Sequence, residues 1–469
     1  MLDRWRSRLL ELPGEFVFNR EPKPPFAQWT ATPVGRYWLH AHPRTRVHRF
    51  PGESGEVLVI GTIVASPDET VTPGTCPPGQ YVVFTPTQIF SDAGSLKQAF
   101  FDRSANGAAS SLRLLEKPGD KAVFPEILHG SRPDWYWGPR TSFPNIDFLL
   151  PSQRLDLETF EPVYRQLPEP IEDSRDDPAG LLERELCSTF TRLRSAGHHI
   201  CLAMTGGLDS RSLFAAAIKA GVNFETYTMT SRHVHPLDVE TAQLISRRFG
   251  IRHTVLPVRK IDTNELNWYI WYSAGQCVTL DADFHAAGLW NHFGHDALYI
   301  RGLGFELNRH KYRDFLTPDD EQLIHKRPSE IWKKFTRPWI RPFHRYNREA
   351  FDSYLGWVHQ TASLSSIDFR DRFYLEQGIG AWCASAEYGL AATGAQRISI
   401  ANSSLLYRLF VAEAPDKKSG PLQRQLMRSV DPALLDYPFA KPSRAERLRF
   451  RAIDTLRALR IHRRLQRLR

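Results

Sequence analysis

The residues with the clearest chemical meaning are Thr205-Gly206-Gly207-Leu208-Asp209-Ser210. Two adjacent glycines let a backbone turn tightly and approach an anion without a Cβ clash. Hydroxyls at Thr205 and Ser210 can donate to that anion, and amides at the start of a helix add the positive end of its dipole. Asp209 can hold Mg2+ against a pyrophosphate, since that ion prefers carboxylate and phosphate oxygens. The string lacks the GxxxxGK[ST] spacing and terminal lysine of a Walker loop, and it is not the GxGxxG of a dinucleotide fold. It reads as a turn that grips pyrophosphate. The alternative is a strand–turn–helix junction whose glycines serve geometry alone.

Other clusters are weaker. His233 and His235 form an HxH, and His292 and His295 lie beside Asp296. Each lacks a third ligand close by, so both groups read as polar loop histidines rather than metal sites. Lys417-Lys418 reads as a solvated loop. Cys76, Cys187, Cys201, Cys277 and Cys383 are scattered, odd in number and without a CxxC pair. They read as free thiols, with neither a zinc site nor a disulfide framework.

The elements around the loop suit its role. His198–Met204 is a short buried strand that leads into it, and Ser210–Ala220 is the helix that leaves it. Ala179–Ser195 reads as a preceding helix. Phe224–Thr230 and His253–Pro257 read as further strands, separated by a helix over Asp238–Phe249. Strand–helix alternation of this kind indicates a parallel α/β sheet. Upstream, Gly35–His40, Glu56–Ala65 and Gly79–Phe84 are short strand-like runs broken by turn clusters at Ser66–Glu69 and Pro73–Pro78, which suggests a sheet sandwich. The polar, proline-rich stretch Leu167–Pro178 reads as a linker. The expected division is therefore residues 1–166 and 179–469. From Asp314 onward the chain reads as mainly helical.

Composition sets the outer bounds. A chain of 469 residues, 42% apolar and 24% charged, is ordinary for a globular protein and long enough for two domains. No apolar run is long enough to span a bilayer, and Met1–Phe16 lacks the uninterrupted apolar stretch of a signal peptide. A cytoplasmic location is the expectation. The net charge is +9. Much of the excess lies in Arg444–Arg469, where ten arginines interleave with apolar residues at helical spacing. That segment reads as a terminal helix covering part of the core. It also suits contact with an anionic membrane surface or a partner protein.

Thr205–Ser210 resembles the SGGLDS pyrophosphate loop of the N-type ATP pyrophosphatases, in the asparagine-synthetase branch, with Thr in place of the first Ser. Asp238–Ala242 and the following Gly250-Ile251-Arg252-His253 are similar to the family's next helix. Arg301-Gly302-Leu303-Gly304-Phe305-Glu306, running on to Arg309 and Tyr312, is similar to its acidic segment, with the usual acidic pair reduced to Glu306. Asp371–Leu375 through Trp382, then Ile398–Leu409, resemble its helical C-terminal part. Lys441, in Pro438–Pro442, falls where the family carries an essential lysine. Upstream, Ser91–Gly94, Ser110-Ser111, Pro144–Asp147 and Pro151–Asp156 resemble landmarks of the family's glutaminase domain.

The resemblance implies a fold and a chemistry. The fold is α/β: an N-terminal β-sandwich of the Ntn-hydrolase αββα type, then a parallel-sheet adenine-nucleotide-binding domain with a helical C-terminal part. The chemistry is ATP-dependent adenylation of a carboxylate with release of pyrophosphate, followed by amine attack and release of AMP. Thr205, Gly206, Gly207, Leu208, Asp209 and Ser210 would hold the pyrophosphate. Asp209 and Glu306 would bind Mg2+, Lys441 would stabilise charge on the acyl-adenylate, and Ala203 or Met204 together with Met229 would line the adenine. Asp238 is either part of the site or the N-cap of its helix. The glutaminase needs Cys directly after Met as its nucleophile. Leu2 and Asp3 stand there, so the N-terminal domain is expected to be without glutaminase activity. The partners implied are a small-molecule or peptide carboxylate and an amine donor. The amine can be ammonia or a group within the substrate itself, as in β-lactam synthetases and lasso-peptide cyclases. Two other classes remain open: a tRNA-modifying adenylating enzyme, disfavoured by the absence of paired cysteines and with no nucleic acid expected, and a non-catalytic ATP-binding scaffold, suggested by the weakened Gly302–Glu306 segment.

Overall fold

The computed structural model describes residues 2–53, 55–120, 136–167, 169–170, 177–230, 234–258, 262–276, 288–309, 316–317, 320, 326–327, 330, 344–412 and 420–439. Helix α1 (Leu2–Leu10) precedes twelve short strands. These are β1 (Phe16–Asn19), β2 (Thr30–Val34), β3 (Tyr37–Ala41), β4 (Val47–Gly52), β5 (Gly55–Ile63), β6 (Gly79–Phe84), β7 (Gln88–Ser91), β8 (Phe100–Asp102), β9 (Gly107–Ala109), β10 (Ile146–Phe148), β11 (Gln153–Asp156) and β12 (Pro162–Tyr164). The short helix α2 (Leu112–Leu115) lies between β9 and β10. The strands form two six-stranded antiparallel sheets, in the orders β10-β8-β9-β1-β3-β2 and β12-β11-β7-β6-β5-β4.

Side-chain alternation explains how the sheets stack. Leu58, Ile60, Val82 and Phe84 of the second sheet pack on Phe16, Phe18, Tyr37 and Leu39 of the first. The intervening Val57, Val59, Tyr81 and Val83 face the other way and join a core with Leu182, Leu186 and Phe190 from the C-terminal half. Both faces of β5 and β6 are thus buried, which is why these runs are almost unbroken in apolar residues. The sandwich expected from the strand pattern is present. The two outer helical layers of an αββα arrangement are not seen among the described residues. Helices α1 and α2 and a single 3-10 turn (Arg103–Ala105) are the helical elements described before residue 167, and the C-terminal half covers the outer face of the second sheet.

The second half is a parallel α/β unit. It runs α3 (Pro178–Ser195), β13 (His199–Ala203), α4 (Leu208–Lys219), β14 (Phe224–Thr230), α5 (Pro236–Arg248), β15 (His253–Pro257), α6 (Thr263–Ser273), β16 (Ala297–Ile300) and, much later, β17 (Gln396–Ile398). Asp177 caps α3 by accepting from the Gly180 amide at 2.9 Å, with Pro178 in the first turn. The strand order is β15-β14-β13-β16-β17, with every pairing parallel. Connections run outward from β13 in one direction and then from β16 in the other. The carboxyl ends of these two neighbours therefore open a crevice, the place where ligands bind in open α/β sheets.

The helical C-terminal part includes His344–Thr361, a π-helical stretch at Tyr374–Cys383, Ala384–Ala391, Ser404–Ala412 and Pro421–Val430. The π-helical stretch is buried between the halves, and a Cβ on Gly380 would lie 2.3 Å from the Pro151 ring, so only glycine permits that approach. Among the described residues no helix is long and apolar enough to cross a membrane.

Candidate active site

The glycine loop occupies the crevice at the carboxyl end of β13. Strand β13 ends at Ala203 and α4 begins at Leu208, so Met204–Gly207 form the turn. Gly207 is the N-cap of α4, and no side chain caps the helix there. The first-turn amides of a twelve-residue helix thus face the crevice without a protein oxygen from the cap. The hydroxyls lock the turn from within. Thr205 Oγ1 and Ser210 Oγ lie 3.1 Å apart, the Gly207 amide donates to Thr205 Oγ1 at 3.1 Å, and Ser210 Oγ donates to the Thr205 carbonyl at 3.0 Å. In this ligand-free state both hydroxyls shape the loop.

Asp238 closes one side. Its carboxylate accepts from the Gly206 amide. A Cβ on Gly206 would come within 2.7 Å of its Oδ1. Burial raises the Asp238 pKa, and the Gly206 amide works against that rise. The N-cap of α5 is His235, whose ring accepts from the Leu237 amide at 3.1 Å. Asp238 is therefore a strut of the loop and not the helix cap.

Gly302, from the segment that follows β16, packs directly on the start of α4. A Cβ there would stand 2.8 Å from Asp209 Cβ and 3.4 Å from the Ser210 amide. This contact brings the two segments singled out in the sequence together at the switch point. The carboxylates behave differently from expectation. One oxygen of Asp209 pairs with the Arg309 guanidinium, and the other accepts from Gln423 Nε2 at 2.6 Å. Glu306 folds back to accept from the Gly304 amide at 3.0 Å. Among the described residues no group of three or more His, Cys, Asp or Glu could hold a metal ion. As arranged here, the pair Asp209 and Glu306 does not fit Mg2+, because a guanidinium already stands where the sequence expected the metal. The reason is local: Arg309 follows Glu306 by one 3-10 turn (Leu307–Arg309), which swings a cation over the loop.

The apolar residues divide between the two faces of the sheet. Ala203 and Met229 lie partly buried on one face, beside Tyr227 and Leu256. Met204 is fully buried in the core on the other face. Of the two positions proposed for the end of β13, Ala203 shares the face of Met229 and the Met204 side chain does not.

No motif marks Arg211 as a structural clamp. It is fully buried in α4, donates to the carbonyls of Leu434 (3.0 Å), Tyr437 (2.9 Å) and Pro438 (2.5 Å), and lies 4.0 Å from the centre of the Phe439 ring. Burial lowers its pKa to about 10. The segment that leads in sequence toward Lys441 is thereby tied to the helix of the phosphate loop as far as Phe439. Lys441 itself and the Arg444–Arg469 tail lie outside the described residues, as do His233, Tyr312, Lys417-Lys418 and Cys277.

The landmarks of the N-terminal half have become contacts between the halves. Asp92 is buried and accepts from the amides of Tyr81, Gly94, Leu96 and Lys97 and from Asn402 Nδ2 at 2.7 Å. Ser111 Oγ meets Tyr388 at 3.1 Å, and Ser152 donates to the buried Glu376. Leu2 and Asp3 belong to α1, whereas the first strand starts at Phe16.

Comparison with known proteins gives no family assignment: no protein-family profile and no curated protein matches the sequence. Two solved structures show distant similarity. NMN synthetase from Francisella tularensis aligns at TM-score 0.22 and 11% identity, over 39% of this chain and 95% of that one. Glutamine-dependent NAD+ synthetase from Acinetobacter baumannii, in complex with ADP, aligns at TM-score 0.21 and 16% identity, over 41% of this chain and 40% of that one. The chain thus spans well under half of the second enzyme, and likeness at this level carries no argument about activity.

Proposed function

We propose that this chain is an ATP-dependent carbon–nitrogen ligase, asparagine-synthetase-like, that activates a carboxylate as an acyl-adenylate and passes the acyl group to an amine. The observation that supports this most is the uncapped glycine turn Thr205–Ser210 at the switch point of a parallel sheet, with Gly302 packed beneath it. Such a turn offers a pyrophosphate the first-turn amides of α4 and the positive end of its dipole.

In the proposed reaction a substrate carboxylate oxygen attacks the α-phosphorus of ATP. The bond from that phosphorus to the bridging oxygen breaks, and pyrophosphate leaves. An amine then attacks the acyl carbon, AMP departs, and the amine loses a proton. Amides at the start of α4 and the hydroxyls of Thr205 and Ser210 would bind the departing pyrophosphate. Arg309, paired with Asp209, would place fixed positive charge beside it. Ala203 and Met229 would face the adenine. Lys441 would act on the acyl-adenylate. No step is assigned to Mg2+ at Asp209 and Glu306. The N-terminal half would serve as a scaffold without glutaminase activity, consistent with Leu2 lying in a helix. The amine can be ammonia or a group on the substrate itself.

The test is exchange of labelled pyrophosphate into ATP by the purified protein, over a panel of carboxylates, repeated with Arg309→Met. Exchange that depends on one acid and disappears in the variant supports adenylation. If the protein neither exchanges pyrophosphate nor binds ATP, the reading fails and a scaffold takes its place.

A further inference from the structure

The segment after β16 aims one cation at the phosphate loop. Gly302 packs on Asp209 and the Ser210 amide, and Gly304 turns the chain with φ of +101°, with the Tyr407 ring where a Cβ would otherwise press. Glu306 closes this turn by accepting from the Gly304 amide. The 3-10 turn Leu307–Arg309 follows. Three residues complete one such turn, so each points a different way. Leu307 and Asn308 are fully buried, and the third residue, Arg309, reaches back to Asp209.

Gln423 holds both members of that pair in place. Its Nε2 donates to Asp209 Oδ1 at 2.6 Å, and its Oε1 accepts at 3.5 Å from Nδ2 of Asn308, the residue before Arg309. Gln423 is fully buried in the helix Pro421–Val430. That helix starts against the loop because residue 420 is glycine: a Cβ there would stand 2.4 Å from both Gln423 Oε1 and Leu208 Cδ2. Each Asp209 oxygen therefore already meets a donor, one cationic and one neutral. A magnesium ion at Asp209 would displace both and sit against a like charge. Arg309 uses only Nη2 on Asp209; among the described residues its Nε and Nη1 have no protein partner. A planar guanidinium with unused N–H groups is well shaped to bridge phosphate oxygens. It stands at the end of α4 whose cap is left open.

We infer that Arg309 takes the place of a protein-held divalent cation in this chain. It binds the pyrophosphate group through its unused N–H groups, and the loop accepts pyrophosphate that carries no metal. Asp209 and Gln423 are positioning residues: the carboxylate fixes the guanidinium, and the buried amide keeps Asp209 and the 3-10 turn in register. The inference rests on the adenylation reading for the identity of the ligand and goes beyond it in what neutralises that ligand's charge.

The experiment is isothermal titration of the full chain with inorganic pyrophosphate, once in EDTA and once in excess Mg2+. It uses wild type, Arg309→Met, Arg309→Lys, Gln423→Leu and the double variant Arg309→Met with Gln423→Leu, each checked for folding by circular dichroism and its unfolding midpoint. Wild type should bind pyrophosphate saturably in EDTA, and Mg2+ should not tighten the binding. Arg309→Met should weaken it by about tenfold or more, the scale of one lost charge-assisted hydrogen bond, and Mg2+ should not restore it. Arg309→Lys keeps the charge without the planar fork and should fall between the two. Gln423→Leu should weaken binding about threefold in the wild-type background and not at all in the Arg309→Met background. A merely structural role for Gln423 would instead make the two losses add, and would overturn its assignment as a positioning residue. The inference itself is overturned if wild type fails to bind pyrophosphate in EDTA, or if Arg309→Met binds there as tightly as wild type. Binding that appears only with Mg2+ leaves the adenylation reading standing, whereas no binding of pyrophosphate or ATP in either buffer removes that reading as well.

Discussion

The two edges of the parallel sheet are built in opposite ways. At the carboxyl edge, six consecutive residues, Thr205–Ser210, make most of the phosphate turn, and their hydroxyls and amides bond to each other. At the amino edge, a cavity of about 790 Å3 draws its walls, Gly14, Gly61, Gln80, Lys97, Gln98 and His198 among them, from across nearly two hundred residues and from both halves. The first arrangement survives as long as one turn keeps its shape. The second exists only while the sandwich and the α/β unit stay docked. A local site can be damaged in its chemistry with little effect on folding, and a composite one can be lost through the interface alone.

The largest effect that separates these cases is chemical. Arg309→Met should lower pyrophosphate exchange by about 100-fold or more, the scale seen when one preorganised charge-stabilising contact is removed. Its stability cost should stay within about 1 kcal/mol, because the Arg309–Asp209 pair is part-exposed, with side chains 30% and 19% accessible. Exchange assays and urea unfolding on the same preparation measure both. A loss of stability that matched the loss of activity would show that the loop is not an independent device.

Beneath the loop, Arg211→Met should be the most destabilising change. It strands the carbonyls of Leu434, Tyr437 and Pro438 and removes the cation beside Phe439. The expected cost is about 2 kcal/mol in urea unfolding: the buried Leu434 acceptor costs on the order of 1 kcal/mol or more, and the part-buried Tyr437 and Pro438 acceptors less. A cost below about 1 kcal/mol would mean that the 434–439 segment is not anchored to α4.

The contrast also explains what could be read from the chain. Strands Phe224–Thr230 and His253–Pro257 and the turn after Ala203 were legible because period, glycines and hydroxyls all lie close in sequence. Strands β16 and β17 were not anticipated. Each has only three or four residues, and β17 enters the sheet nearly a hundred residues after its neighbour. The sandwich was legible from its turn-broken strands, but its helical layers were an inference from resemblance, and the C-terminal half took part of that place. Within the site, the family resemblance implied that Asp209 and Glu306 share a metal. It could not show that Arg309 reaches Asp209 first, because that depends on how one 3-10 turn is aimed. Arg211 carries no motif at all. Its role follows from partners far away in the chain.

The interface offers an intermediate test. Asn402 Nδ2 reaches the Gly79 carbonyl at 2.6 Å and Asp92 at 2.7 Å, and its Oδ1 accepts from Tyr407 at 2.9 Å. Asn402→Leu should cost about 2 kcal/mol by leaving these buried groups short of partners. ATP binding at the loop should hold. If ATP binding fell in parallel with stability, the loop would depend on the interface and would not be a local site.

The smallest effect is one of pH, and it probes the cavity wall directly. Burial raises the pKa of Glu15 above the usual carboxylate value, outweighing the hydroxyls of Ser110 and Tyr272 and the charge of Lys97, which lower it. The folded protein therefore keeps the Glu15 proton to higher pH than the unfolded chain does. The stability this contributes is fully present below the ordinary value of 4.5 and is lost as pH rises through the raised folded value. Glu15→Gln cannot titrate, so its stability should lack that decline. The difference between wild type and variant should change with pH by no more than about 1.4 kcal/mol per unit, the limit for one proton, and only in the window above 4.5. Urea unfolding at intervals from pH 4 to 8 measures it. A slope of the opposite sign would mean that Glu15 is held ionised by the Lys97 charge.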